Sequence, residues 1–172
     1  MRHILTGAPG AGKTIILRGL EQAGLAVIEE AATDLIAWRQ AQGVAEPWAH
    51  PAFTDDILSL QLARQARAGP GPVIFDRSPV CTLTLARFLG HQASPALIAA
   101  AEAARDAYAR EVFFVEGLDF IVNTDARRIE LDSARRFGDL HRETYGSLGF
   151  GLVDIAPAAP VDRVRAVLAR LT

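Results

Sequence analysis

Residues 7–14 read GAPGAGKT, and no other stretch of the chain restricts its fold so tightly. Gly7, Gly12, Lys13 and Thr14 fit the spacing GxxxxGK followed by Ser or Thr, a loop whose successive backbone N–H groups cradle phosphate oxygens. Such a loop needs a strand before it and a helix after it. Residues 2–6, RHILT, are a short apolar stretch that can be a strand, and Ile16, Leu17, Leu20 and Ala23 recur at helical spacing before Gly24. Gly7, Gly10 and Gly12 allow positive φ and close backbone approach, Pro9 stiffens the turn, and the Thr14 hydroxyl suits a magnesium ion. The run Gly7, Ala8, Pro9, Gly10, Ala11, Gly12, Lys13 and Thr14 is therefore the expected nucleotide-phosphate site.

Lysine usage points the same way. Of 18 lysines and arginines, Lys13 is the single lysine. An arginine is a wide planar fork; a lysine is a compact charge on a flexible stem, able to follow the β- and γ-phosphates of a nucleotide. The chain has a lysine only where that difference matters.

At 172 residues with half of them hydrophobic, one domain over 1–172 with a packed α/β core is expected. A net charge of −2 offers no general footprint for nucleic acid or membrane, so a small-molecule partner is expected. Cys81 is alone, which excludes an internal disulfide and suits a buried small residue in a reducing cytoplasm. Neither a signal peptide nor a bilayer-length apolar run is visible.

Strand-like runs at residue 4 and at 26–28, 73–75, 112–115 and 152–155 alternate with helix-forming sequence, which predicts a parallel sheet. Ser78-Pro79 and Ser94-Pro95 look like helix N-caps with proline at the first helical position. Two late stripes, Phe137, Leu140, His141, Tyr145 and Leu148, then Val161, Val164, Val167, Leu168 and Leu171, are amphipathic helices. Five strands with right-handed crossovers make a three-layer, doubly wound α/β sheet whose ligands bind beyond the carboxyl ends of the strands.

Chemistry-bearing residues gather at those ends. Glu29-Glu30 follows the second strand, and Glu30 could accept a proton from an attacking hydroxyl or simply sit in a first helical turn. The third strand runs into Asp76-Arg77; an apolar strand ending in Asp is the Walker B pattern that holds Mg²⁺, and Arg77 could neutralise transferring phosphate charge. After the fourth strand, residues of about 117–136 carry Arg127 and Arg128, which could fold over phosphates as a lid and exclude water. Surface pairing with nearby acids is the plainer alternative. Between residues 38 and 61 lie Trp38, Trp48, Phe53 and Gln61, a set that can stack on a ring and bond its edge; Phe53 could equally be core.

GAPGAGKT, the Glu30-Ala31-Ala32 helix start, AspArgSerPro at 76–79 and the Glu-Gly-Leu-Asp-Phe run before an arginine-containing lid resemble the AAA-domain family of predicted ATPases related to the ribosylnicotinamide kinase domain. The likeness spans nearly the whole chain. More distantly, AspArgSer is similar to the Glu-Arg-Ser element of deoxyribonucleoside kinases, and Glu30 matches their base. The resemblance implies a P-loop kinase-like sheet order and ATP- and Mg²⁺-dependent phosphoryl transfer to a small metabolite, a nucleoside or nucleotide such as ribosylnicotinamide or cytidylate. Asp76 stands where that second pattern has Glu, which leaves the base between Glu30 and Asp76.

Two other classes use the same loop. Guanine-reading switches carry Asn-Lys-x-Asp, and no second lysine exists to supply it. Remodelling ATPases place Glu after the Walker B Asp, where this chain has Arg77. A kinase needs no water-activating Glu and benefits from a lid that excludes water. The expectation is thus a kinase, with an ATPase or nucleotide-responsive binding module as the alternative.

Overall fold

Ile4 and Leu5 are adjacent in sequence and buried in different cores, because successive strand residues point to opposite faces of a sheet. The computed structural model, which describes residues 1–117 and 131–171, repeats this division along every central strand. Its elements run β1 (Arg2–Gly7), α1 (Lys13–Gln22), β2 (Ala26–Ile28), α2 (Ala31–Ala41), a short 3₁₀ turn (Pro47–Ala49), α3 (Phe53–Arg67), β3 (Val73–Asp76), α4 (Pro79–Leu89), α5 (Pro95–Ala107), β4 (Glu111–Val115), α6 (Leu131–Ser147), β5 (Gly151–Ile155) and α7 (Pro160–Leu171). The expected strands and most expected helices are found within a residue or two of their bounds, but α6 begins at Leu131, six residues before the Phe137 stripe, so 131–136 of the expected lid are helix.

The five strands pair in parallel in the order β2-β3-β1-β4-β5. Parallel pairing requires crossovers, and the helices that supply them bury both faces, which explains the near-continuous apolar strands. Ile4, Val73, Phe75 and Val112 pack on one face with Val80 and Leu83 of α4, Leu97 and Ala101 of α5 and Tyr145 of α6. Leu5, Ile74 and Phe113 pack on the other with Ile16, Leu17 and Leu20 of α1 and Val167 of α7. Each fully buried aliphatic side chain is worth roughly 1.5–3 kcal/mol of transfer free energy, so truncating Ile4 or Leu5 strips support from the strand that carries the loop. β1 lies between β3 and β4, where strand order reverses direction, and its carboxyl end is the crevice in which ligands of such sheets bind.

Of the two expected serine caps, Ser94 accepts from the Leu97 N–H at 3.1 Å and caps α5. Ser78 does not cap: it occupies the position before α4, but its hydroxyl meets the Tyr145 hydroxyl at 2.8 Å instead. The helix starts without it, since Pro79 presets φ at the first position. Arg127 and Arg128 of the expected lid lie outside the described residues. Among the described residues, no helix is long and apolar enough to cross a membrane.

Candidate nucleotide and acceptor site

The loop between β1 and α1 is shaped by its glycines. Gly7 has φ 140°, and a Cβ there would come within 2.3 Å of the Val115 carbonyl oxygen on β4, so no other residue fits. Gly12, at φ 84°, forms the left-handed entry to α1. Lys13 is only 4% exposed, and its Nζ donates to the Gly7 and Ala8 carbonyls at 3.3 and 3.0 Å, holding the ammonium over the loop. Thr14, the second residue of α1, is exposed.

Asp76 ends β3 opposite Leu5 of β1 and is buried. Magnesium takes hard oxygen donors and needs few from the protein, and one hydroxyl with one carboxylate fits that requirement. Arg77 is next. With φ 72° it is the one non-glycine residue at positive φ among the described residues, a conformation that costs a residue with a Cβ roughly 1–2 kcal/mol. Its N–H donates to the Leu5 carbonyl at 3.0 Å, which keeps the turn beside the loop strand.

That turn sends the Arg77 side chain inward. Its Nε donates to Glu30 Oε1 at 2.5 Å, and the pair is almost wholly buried. Thr33 Oγ1 donates to the second oxygen, Glu30 Oε2, at 2.8 Å. Burial opposes the guanidinium charge, but Glu30, with further negative partners, outweighs it and raises the Arg77 pKa above its ordinary value. On the other side, Arg77 Nη1 lies 3.3 Å from His141 Nε2, while His141 Nδ1 lies 2.8 Å from the Phe137 carbonyl oxygen. A carbonyl only accepts, so Nδ1 carries the proton and Nε2 accepts from Arg77. Burial first, then the Arg77 charge, push the His141 pKa down to about 3 and keep the ring neutral. Neighbouring polar groups link the same elements: the Tyr145 hydroxyl touches Ser78 Oγ and Cys81 Sγ, and Cys81 Sγ meets Thr6 Oγ1 of β1.

Beside this pair opens a cavity of about 600 Å³, inside the range of small-molecule sites. Pro9 of the loop, Glu30 and Arg77 stand on its border; Ile36, Trp48, Phe53, Leu85, Phe88 and Phe137 supply apolar surface. Gln61 faces the same space, its Oε1 accepting from the Thr82 hydroxyl at 2.9 Å. Phe53 is both cavity wall and core, being 3% exposed.

Trp38 is not brought there. It is 63% exposed and does not line the cavity. Ala32, Thr33, Ile36 and Gln40 form the inward face of α2, and Trp38, two residues past Ile36, lies about 200° around the helix from it. Trp48, in the turn before α3, stands in the wall instead. His141 was not anticipated as a site residue. His141 sits midway between Phe137 and Tyr145 at four-residue spacing, a polar residue on an apolar stripe, which is the signal that marks it.

A family described as AAA domain matches residues 2–163. No curated protein matches the chain. Among solved structures, deoxyadenosine kinase from M. mycoides with bound dATP is similar at a TM-score of 0.62 and 11% identity, over 99% of this chain and 98% of that one. The structure of the same enzyme with the products dCMP and a flexible dCDP is similar at a TM-score of 0.62 and 13% identity, with the same coverage. At such identities the likeness is one of fold, and it carries the five-stranded parallel sheet and its flanking helices.

Proposed function

We propose that this chain, which belongs to the AAA-domain family, transfers the γ-phosphate of ATP to a hydroxyl of a nucleoside-like acceptor held in the cavity. The observation that carries this reading is the buried Glu30–Arg77 pair, set between a phosphate-binding loop and an apolar cavity of small-molecule size. The fold-level likeness to a deoxyadenosine kinase supports the same reaction class.

Each residue has a task. The loop N–H groups and Lys13 hold the β- and γ-phosphates, and Lys13 exchanges its present carbonyl partners for them. Thr14 and Asp76 would hold Mg²⁺, which would supply positive charge to neutralise the phosphates. Glu30 takes the proton of the acceptor hydroxyl as its oxygen attacks in line. Between the two carboxylates left open by the sequence, Glu30 is favoured because it borders the cavity and Asp76 does not. Arg77, fixed by Glu30 and His141, stabilises negative charge on the phosphoryl group as its bond to ADP breaks and its bond to the acceptor oxygen forms. Arg127 and Arg128, on the segment after β4, are assigned to closure over the phosphates.

The cavity also favours an uncharged acceptor. Among the described lining residues Arg77 is the one cation, and Glu30 already neutralises it. Aromatic and aliphatic walls with Gln61 at one edge suit a ring and sugar better than a second phosphate. A panel of nucleosides, nucleoside monophosphates and ribosylnicotinamide, incubated with ATP and Mg²⁺ and assayed for phosphorylated product, tests this. Product from an unphosphorylated acceptor supports it; product from monophosphates alone overturns the choice of acceptor.

A further inference from the structure

Arg163 belongs to α7, on the side of the sheet away from the cavity, and no part of the proposed chemistry uses it. It is nevertheless 4% exposed. Its guanidinium reaches three backbone carbonyls: Nη1 donates to Ala11 of the phosphate loop at 2.9 Å, and Nη2 to Glu116, just past β4, at 3.0 Å and to Ile155, at the end of β5, at 3.4 Å. A Cβ at Gly12 would stand 3.1 Å from Nη1, so the loop lies directly against the guanidinium.

This arrangement is costly. Burial pushes the Arg163 pKa down against the raising effect of Glu116, and the buried Nε finds no hydrogen-bond partner among the described residues. Packing alone would be served at lower cost by an apolar side chain, since α7 already buries Val167 on the same stripe four residues on. The contact with Ala11 supplies what an apolar residue could not. A trans peptide is planar, with its C=O and N–H pointing in opposite directions. Fixing the Ala11 carbonyl toward α7 therefore aims the Gly12 N–H to the opposite side of the loop.

We propose that Arg163 is a positioning residue for nucleotide binding: it clamps the Ala11–Gly12 peptide so that the Gly12 N–H is set toward a bound phosphate before the nucleotide arrives. The inference rests on the nucleotide-binding reading of the loop. Glu116 and Ile155 make the clamp stiff, because the same guanidinium is braced on the ends of two strands whose own backbone is joined by the Glu116 N–H to the Ile155 carbonyl at 3.1 Å. Preorganisation of this kind raises affinity for the group the peptide contacts and leaves the rest of the ligand untouched.

The test is to titrate wild type, Arg163→Gln and Arg163→Lys with ADP and with AMP, which lacks the β-phosphate, alongside circular dichroism to establish folding. Wild type should prefer ADP over AMP. In Arg163→Gln that preference should fall about tenfold, the scale of a charge-assisted hydrogen bond, while AMP affinity is little changed. Arg163→Lys, with a point charge that satisfies fewer carbonyls, should fall between. An unchanged ADP-to-AMP ratio in a folded variant overturns the inference, as do equal losses for both ligands or a failure of both variants to fold, which mark a purely structural clamp. Wild type that binds neither nucleotide overturns the nucleotide-site reading itself, a result distinct from the others.

Discussion

Arg77 Nε stands 2.5 Å from Glu30 Oε1, although the two residues lie 47 positions apart. Each follows one of two neighbouring parallel strands, β2 and β3, so the sheet brings the Glu30-Ala31-Ala32 helix start and the AspArgSerPro turn together at one end. The pairing fixes both groups. Arg77, held at positive φ, cannot swing away without breaking this buried ion pair.

Glu30→Gln keeps the shape of the pair and removes the proposed base. Phosphoryl transfer should fall by about 10²–10⁴ in kcat, the usual contribution of a positioned general base, with ADP affinity close to wild type. Steady-state rates and an ADP titration on the same preparation check both halves. Wild-type kcat in this variant would remove Glu30 from the chemistry.

Arg77→Gln removes the guanidinium from its buried ion pair with Glu30. The loss of one partner of a buried pair costs about 3–5 kcal/mol, so chemical denaturation should show a destabilised protein as well as an inactive one. Stability within about 1 kcal/mol of wild type would mean that the pair is solvated rather than buried.

His141 makes folding acid-sensitive. Its folded pKa, about 3, lies below the ordinary 6.5. Between those values the unfolded chain binds a proton that the folded chain does not. Its contribution is fully present above pH 6.5 and is lost as pH falls toward 3, with a slope of up to about 1.4 kcal/mol per pH unit. Urea denaturation across this window should follow that slope, and His141→Gln, which can still accept from Arg77, should flatten it. An unchanged slope in the variant would place the acid sensitivity elsewhere.

The two tryptophans separate cavity from surface. Trp48→Ala, in the cavity wall, should raise the acceptor KM severalfold with little change in the ATP KM, whereas Trp38→Ala, on the exposed face of α2, should leave both unchanged. Kinetics with varied acceptor at saturating ATP distinguish them. A larger effect from Trp38 would contradict the assigned cavity.

The strands were legible because a parallel sheet buried on both faces writes short, almost uninterrupted apolar runs, and even three-residue β2 stands out between Gly24 and the acidic pair. The phosphate loop was legible because its glycines answer to backbone geometry alone: Gly7 faces the Val115 carbonyl whatever else the fold does. Trp38 was misplaced because composition puts an aromatic near a pocket while helix phase decides which face it takes. Arg163 was hidden among many arginines; only its place on the Val167 stripe distinguishes it, and two of its three carbonyl partners, Ala11 and Glu116, lie far away in sequence. Ser78 was read locally as a cap, whereas Tyr145, from a helix that packs on α4 much later in the chain, takes its hydroxyl.

Lys13 offers a chemical check, since acylation has one lysine target besides the N-terminus. Nucleotide with Mg²⁺ should protect Lys13 from labelling, read by mass spectrometry of the peptide that contains it. Lys13→Arg keeps the charge but should abolish turnover, because a planar fork does not replace a compact ammonium within the loop. Equal labelling with and without saturating nucleotide would contradict the phosphate-site assignment.

The most direct measurement of the central claim is ADP release from ATP and Mg²⁺ with and without a nucleoside acceptor. In the proposed reaction Glu30 serves a hydroxyl held in the cavity, so ADP should form in step with phosphorylated acceptor and only at a low basal rate without it. ADP formed equally fast in the absence of any acceptor would contradict phosphoryl transfer and make the chain an ATPase.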